Sequence, residues 1–442
     1  MRQAIIVMHG LNTRYPGFLE AAEARGIAVL GTTPDLDRPR IRLLLQQWEK
    51  EPGSPLRTLA ELAAIPATAI DPLVDKVAQW NREYAIIGAF SLTEEYVEAA
   101  ALVAEVFGLQ GTGHTAAVLS RNKHLQRRAL PGLSPQYTLL PAGDAQKMAA
   151  MTAATPKVCK PTNGSASVGV RLIAAGEDIA EAAASYRPDQ HLLIEDRVTG
   201  AEYSVESVSL DGRRLAHCVT RKGTTDGAGG SFVELEHTVG PFGDATEEAL
   251  LVAAAEQALD RICMRTGISH CEIRLTAERV PVLMEVAVRG PGGAIPTLFQ
   301  LAAGRSFESI LLDGLTGVPA GDRPTMKRFA RQWYLPQWPG LLRDVVAPSP
   351  LPEPNWFATT LRRVPVVPPG DLDGAGIHEI FVEADRDSEI KQLDSDMARA
   401  CSVITHAPTL NALDDLRDDL SGQLRLVIET EGEGPTRGAD DN

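Results

Sequence analysis

Disulfide and zinc chemistry have little material in this chain. Its five cysteines, Cys159, Cys218, Cys263, Cys271 and Cys401, are odd in number and show no CxxC spacing, so neither a disulfide framework nor a zinc site is expected and a reducing cytoplasm fits. No run approaches the ~18 apolar residues of a membrane helix. The opening MRQAIIVMHG breaks into a histidine and glycine turn after one short apolar stretch, so a signal peptide is not expected. Positive charge is also in deficit: 43 Lys and Arg against 58 Asp and Glu give a net charge of −15. Neither a phosphate backbone nor anionic lipid headgroups would attract such a surface, which argues against nucleic acid and membrane partners. No internal repeat is evident.

What remains is a long chain with ample core material. Its 442 residues, 44% of them hydrophobic, predict about three domains. Ala4 to Met8 has a buried-strand pattern, FLEAAEARG a helix with a glycine stop, and IAVLGTT a second strand, so the chain begins as a βαβ unit. YAIIGA reads as another strand, and Glu94 to Phe107 as an amphipathic helix ending at Gly108. Glu95, in SLTEEYVEAA, falls where an open α/β sheet places its binding loops. It equally belongs to an acidic pair that would complement a helix dipole.

Glu272 in HCEIRL and Glu285 in VPVLMEVAV occupy two strand-like runs facing each other across Thr276, Ala277, Glu278 and Arg279. A four-residue hairpin loop from Ala277 to Val280 would set the two carboxylates directly opposite, with Cβ atoms roughly 5 Å apart. Like charges that close raise each other's pKa unless a cation or a shared proton lies between them. Mg²⁺ held between carboxylates and nucleotide phosphates is the common solution. The plainer alternative is the solvated face of an edge hairpin.

Upstream, Val158, Cys159 and Lys160 end a short strand, and PTNGSASVGV follows from Pro161 to Val170. That loop lacks the bulk to pack a core. Gly164 and Gly169 allow backbone conformations closed to other residues, and Ser165 and Ser167 add hydroxyls, so the loop can close over phosphate oxygens or serve simply as a flexible turn. It is not a Walker A loop, because no GK[ST] follows. Lys123 starts a helical pattern in SRNKHLQRRAL. In HLLIEDRVTGAEYSVESVSL, Glu195 ends one strand and Glu202 opens the next; such carboxylates can take an adenine amino group and ribose hydroxyls.

As an ordered set, Lys123, Lys160, the glycine-rich loop, Glu195, Glu202, Glu272 and Glu285 resemble the ATP-grasp superfamily over roughly residues 115 to 320. The resemblance implies that Lys123 and Lys160 hold the α- and β-phosphates of ATP, with Ser165 and Ser167 in the loop above them. It implies that the hinge from Glu195 to Val198 takes the adenine and Glu202 the ribose, and that Glu272 and Glu285 carry Mg²⁺, with Mn²⁺ as an alternative. Many ATP-grasp enzymes place Asn two residues after the second glutamate, where this chain has Ala287. That absence, with Arg289 four residues after Glu285, is similar to the L-amino-acid ligase branch, which makes dipeptides. In that branch the arginine stabilises the phosphorylated carboxylate.

FVELEH, from Phe232 to His237, also looks like the ligases. It makes Glu234 and His237 candidate substrate contacts, Lys222 a possible phosphate contact, and Glu95 a candidate for an amino-acid ammonium. Gly293, in GPGGAIPTLFQLAAG, would leave the pocket open to a first substrate bulkier than alanine.

The fold class implied is α/β (α+β), an ATP-grasp fold with an N-terminal Rossmann-like open α/β domain and a C-terminal lid subdomain. Expected boundaries are 1–115 for the N-terminal domain, 116–198 and 199–320 for the small and large ATP-grasp subdomains, and 321–430 for the C-terminal subdomain. A disordered tail at 431–442 is expected. The proline-rich stretch after Pro319 should form loops, sheet edges and a lid, and ACSVITHAP, LNALDDLRDDLSGQL and RLVIETE a closing strand, helix and strand.

The activity implied is a cytoplasmic, ATP-dependent carboxylate-amine ligase acting on small amino-acid substrates, in families where homodimers are common. The alternatives are a phosphotransferase or carboxylase of the same superfamily, or a nucleotide-binding protein without turnover. The chain lacks an MKM-type biotin motif.

Overall fold

β1 (Arg2–Met8) and β2 (Ala28–Thr33) are near-continuous apolar runs, which is how strands covered on both faces read. The computed structural model pairs them in parallel between β3 (Leu59–Ala64) and β4 (Tyr84–Ser91), in the order β3-β2-β1-β4. Ala4, Ile6, Met8 and Leu30 pack on Leu73, Val77 and Trp80 of the helix Ile70–Glu83 and on Val103 of the helix Val97–Phe107. Ile5, Val7 and Val29 face the other way, into a core with Leu298, Phe299, Phe307 and Leu311. The N-terminal sheet is thereby fixed to the part of the chain that follows the carboxylate hairpin. The structure describes residues 1–9, 17–34, 36, 39–50, 58–144, 153–226, 231–318, 324–357, 365, 367 and 372–430. The expected tail at 431–442 lies outside them. Among the described residues no helix is long and apolar enough to cross a membrane.

A second, four-stranded sheet has the order β5-β8-β6-β7, from β5 (Tyr137–Pro141), β6 (Lys157–Pro161), β7 (Arg171–Ile173) and β8 (His191–Asp196). The glycine-rich segment is the connection between β6 and β7. A nine-stranded sheet follows, in the order β13-β12-β9-β10-β11-β14-β19-β17-β16. Its strands are β9 (Ala201–Leu210), β10 (Arg213–Thr224), β11 (Glu234–Val239), β12 (Gly267–Leu275), β13 (Pro281–Ala287), β14 (Phe329–Tyr334), β16 (Asn355–Trp356), β17 (Gly376–Val382) and β19 (Cys401–Ala407). β15 (Gly340–Val346), β18 (Glu389–Ile390) and β20 (Arg425–Glu429) make a small sheet beside it.

Alternation along the central strands separates two kinds of surface. Tyr203, Val205, Cys271, Ile273 and Leu283 point into a core closed by Leu251, Ala255, Ala258 and Leu259 of the helix Ala245–Arg261. Asp244 caps that helix through a 2.9 Å bond from the Glu247 amide. Its C-cap is Ile262, however, and Gly267 opens β12 instead of ending the helix. The even-numbered neighbours Glu202, Ser204, Glu206, His270, Glu272 and Arg274 fall on the opposite face.

One feature of the C-terminal third differs from expectation. β14 lies inside the nine-stranded sheet, paired with β11 and β19. It fits there because its six buried residues end at Tyr334, before Pro336 can interrupt the ladder. The closing strand, helix and strand form over Cys401–Ala407, Leu410–Ser421 and Arg425–Glu429, with β19 in the large sheet and β20 paired with β15.

Glu308, in the helix Phe307–Leu315, is 6% exposed, and its Oε2 has no hydrogen-bond partner. Burial pushes its carboxyl up to about 7. A carboxyl raised in the folded state favours the neutral form, so its ionisation destabilises the fold as pH rises from the unfolded value near 4.5 through about 7. Glu308→Gln is expected to raise the melting temperature at pH 8 and to change it little at pH 4.5, on the order of 3 kcal/mol at the high-pH end. Parallel thermal melts across that range check it.

Candidate active site

The register of the carboxylate hairpin sets Glu272 opposite Glu285, by a route different from the expected loop. Leu275 pairs with Pro281 across a five-residue turn with Arg279 at φ +60, and the register then shifts between Glu272 and Ile273. The extra residue is Met284. The bulge puts Met284 and Glu285 together on the site face while Leu283 and Val286 both reach the core. A row of register partners, Thr220, Ser204, Glu272 and Glu285, therefore crosses β10, β9, β12 and β13.

Two carboxylates side by side on a mostly buried face need counter-charge. Lys222, expected to meet phosphate, supplies it instead: its side chain is fully buried, with Nζ 2.5 Å from Glu234 Oε1 and 2.7 Å from Glu272 Oε1. Burial would lower its pKa, but the two glutamates hold it well above the ordinary lysine value. Burial would likewise raise Glu272 and Glu234, and Lys222 keeps both well below the usual carboxylate range. His270 completes the arrangement, 2.7 Å from Glu206 and 3.3 Å from Glu272. Burial works against its charge, yet these two carboxylates push it up to about 9.

Lys123 and Lys160 converge from different elements. Asn122 caps the helix Lys123–Ala129, and Lys123 Nζ donates to the Gly164 carbonyl at 2.9 Å and lies 3.0 Å from Glu285 Oε2. Lys160, on β6, lies 2.8 Å from Glu195 Oε2. Both Glu195 oxygens also accept from Arg127, at 2.7 and 3.2 Å. Its carboxylate is thus engaged inside the protein, where it positions Lys160. Burial opposes the charge of Glu195, but Lys160 and Arg127 hold its pKa below the usual value. Val198 lies in the link between β8 and β9, and its carbonyl accepts from Arg274. Glu202 takes two bonds from Arg274, at 3.0 and 2.6 Å, both on Oε2, and burial raises its carboxyl.

The glycine-rich loop carries positive φ at Gly164, Ala166, Ser167 and Gly169. Ala166 and Ser167 are the centre of a tight turn closed by the Val168 amide on the Ser165 carbonyl at 3.2 Å. Consecutive left-handed backbone at two residues with side chains is strained, and such strain concentrates at ligand clamps.

Glu95 is exposed, whereas its neighbour Glu94 reaches the site, 2.6 Å from Arg289 Nε and 2.6 Å from Arg121 Nη1. The pair sits in a 3-10 turn, Glu94–Tyr96, where successive side chains diverge by about a third of a turn. Burial would raise the Glu94 carboxyl; Arg289 and Arg121 hold it below the usual value. His237 Nε2 is 2.8 Å from Glu234 Oε2, and its Nδ1 is 3.3 Å from Gln332 Oε1. Gly293 has φ +58, and a Cβ there would come 2.9 Å from Gln332 Oε1 and 3.1 Å from His237. The glycine, which lines a cavity with Arg289 and Arg399, admits that close approach of Gln332 and His237.

Two adjoining cavities use these groups. Lys123, Lys160, Glu195, Val198, Glu202 and Met284 line one. Ser165, Ala287, Arg289, Gly293, Asp396 and Arg399 line the other. Ser167, Glu234, Glu272 and Glu285 line both. The oxygens of Glu272 and Glu285, each already facing an ammonium, are hard donors suited to Mg²⁺, whose remaining ligands would be phosphates and water. No group of three or more His, Cys, Asp or Glu able to hold a metal by itself occurs among the described residues. A separate, open hollow lies on the far side of the sheet, between Phe242, Glu248 and Met326.

Lys123 from a helix start, Lys160 from the four-stranded antiparallel sheet, a strained glycine-rich loop and the Glu272–Glu285 pair of the large sheet thus converge on one site. Residues 153–297 match the ATP-grasp domain family, and the chain carries that domain. Its whole fold is similar to the crystal structure of an L-amino acid ligase from Bacillus licheniformis, with a TM-score of 0.72 over 97% of this chain and 99% of that one, at 18% identity. It is also similar to phosphoribosylglycinamide synthetase from Anaerococcus prevotii, with a TM-score of 0.64 over 97% and 100% at 14% identity. Among curated proteins it is 25% identical to alanine–anticapsin ligase of Bacillus subtilis over 284 residues, 57% of this chain and 59% of that protein. It is 27% identical over 254 residues to an uncharacterised protein of Sinorhizobium fredii, 55% of this chain and 51% of that protein. The matches thus span between half and three-fifths of the curated relatives' length.

Proposed function

We propose that this protein is an ATP-dependent carboxylate-amine ligase that joins an amino acid to the amine of a second amino acid, with release of ADP and phosphate. The observation that carries this reading is the position of Glu272 and Glu285 at the junction of a lysine-lined and an arginine-lined cavity. A nucleotide in the first would present its terminal phosphate to a carboxylate in the second. The similarity to alanine–anticapsin ligase supports a carboxylate-amine product.

Lys123 and Lys160 are proposed to neutralise the triphosphate, Ser165 and Ser167 to close over it, Val198 to meet the adenine, and Glu202 to meet the ribose. Mg²⁺, held by Glu272 and Glu285, would supply charge neutralisation on the transferring phosphoryl group. Arg289, fixed through Nε by Glu94 and through Nη1 by the Gly290 carbonyl at 2.7 Å, is placed to orient the substrate carboxylate as it attacks the γ-phosphorus. The acyl phosphate so formed is then displaced by an amine, and phosphate leaves. Lys222 and His237 hold Glu234 ionised beside the arginine-lined cavity, where it can accept from a substrate ammonium. No protein nucleophile is needed.

Phosphate release from ATP and Mg²⁺, screened over pairs of amino acids with mass detection of the product, tests the proposal. Phosphate release dependent on a pair, with a mass equal to the pair less water, supports it. Release stimulated by bicarbonate alone would assign a carboxylase-type reaction, and release with no acceptor among amino acids would overturn the ligase reading.

A further inference from the structure

The turn Asp396–Ala398 and Arg399 come from the C-terminal third of the chain, yet they form one wall of the arginine-lined cavity. They are held by three independent contacts. Asp396 Oδ1 accepts from the Glu234 amide at 2.8 Å, and Arg399 Nη1 donates to the Glu234 carbonyl at 2.8 Å. The Asp396 amide donates to the Ala166 carbonyl at 3.2 Å, at the strained tip of the glycine-rich loop. Arg399 Nε is engaged with the Asp396 carbonyl at 2.9 Å, and its guanidinium lies 4.3 Å from the Tyr334 ring centre. Nη2 of Arg399 and Oδ2 of Asp396 are the atoms of this pair that these hydrogen bonds leave for a ligand.

Charge matching gives that wall a purpose. Joining two amino acids brings two carboxylates into the site, one that reacts and one that must be held without reacting. The cavity has two arginines, Arg289 just after β13, which bears Glu285, and Arg399 just after the Asp396–Ala398 turn. A carboxylate held by Arg289 is the one adjacent to the nucleotide cavity, so the spectator carboxylate falls to Arg399. Asp396, whose carboxyl is raised by burial and by Glu234, is the acid beside it.

We infer that Arg399 and Asp396 determine specificity for the amine donor, Arg399 binding its spectator carboxylate and Asp396 its ammonium. This rests on the ligase reading above. Because the same turn holds the loop through Ala166, a donor seated on it also favours the closed loop, which excludes water from the acyl phosphate.

The test uses the full chain, the acid that the pair screen finds most active, and L-alanine or L-alaninamide as the donor. The wild type is expected to prefer alanine. Arg399→Ala is expected to raise the KM for alanine by about ten- to a hundredfold, the worth of a charge-assisted hydrogen bond pair, with little change for alaninamide. ADP affinity by calorimetry stays within about twofold. Asp396→Asn is expected to raise the KM for both donors. An Arg399→Ala enzyme that still prefers alanine overturns the inference while leaving the ligase reading intact; where that variant no longer binds ADP, the uncharged Arg399→Gln is judged on the same preference. A wild type that turns over no amino-acid pair overturns the ligase reading, and this inference falls with it.

Discussion

Glu285→Gln is expected to lower phosphate release by about a thousandfold or more, while the protein stays folded and still binds ADP. The reason lies in how charge is distributed over the carboxylate pair. Glu272 shares its charge with Lys222 and His270, at 2.7 and 3.3 Å. Among the described residues Glu285 has one ion-pair partner, Lys123 at 3.0 Å, and is the less compensated of the two. The amide keeps the shape of the side chain and removes the charge a divalent cation needs. Because the residue sits on a bulge at the sheet edge, with its neighbours Leu283 and Val286 unaltered in the core, stability should change little. Phosphate release at saturating Mg²⁺, alongside a thermal melt, checks both halves. A wild-type rate would remove Glu285 from the metal site.

Lys160→Ala is expected to weaken ADP binding by about ten- to a hundredfold, the loss of one strong charge-assisted contact to phosphate. Burial depresses the Lys160 pKa, and Glu195 pulls it back up. The lysine is thus presented to the cavity by a carboxylate that is itself fixed. After the substitution Arg127 still holds Glu195 at 2.7 and 3.2 Å, so the buried carboxylate keeps a partner and the fold should persist. Calorimetry with ADP and Mg²⁺ reads the effect directly, and an unchanged affinity would take Lys160 out of the nucleotide site.

Much of this arrangement was legible in the residues because alternation along a strand is a strong local signal. It places Glu202, Glu272 and Arg274 on one face and Tyr203, Cys271 and Ile273 on the other without any knowledge of the fold. The apolar runs of β1, β2 and β4 marked a parallel layer for the same reason.

What could not be read were facts of tertiary placement. A bulge at Met284 reached the expected pairing by an unexpected turn. A 3-10 turn decided that Glu94, and not Glu95, meets Arg289. Lys222 was a candidate phosphate contact only through the resemblance of its segment to the ligases, and only the packed sheet shows two carboxylates closing over it. Arg127, His270, Asp396 and Arg399 carried no spacing signal, since their partners lie on other elements. Asp396 and Arg399 might as well have been surface charges after a proline-rich stretch.

The most direct measurement is a crystal structure of the full chain with a non-hydrolysable ATP analogue and Mn²⁺, located by its anomalous signal. The cation is expected within about 2.2 Å of oxygens from both Glu272 and Glu285 and next to the phosphates, with Lys222 still between Glu234 and Glu272. A nucleotide bound with the cation elsewhere, and those two carboxylates remote from any phosphate, would contradict it.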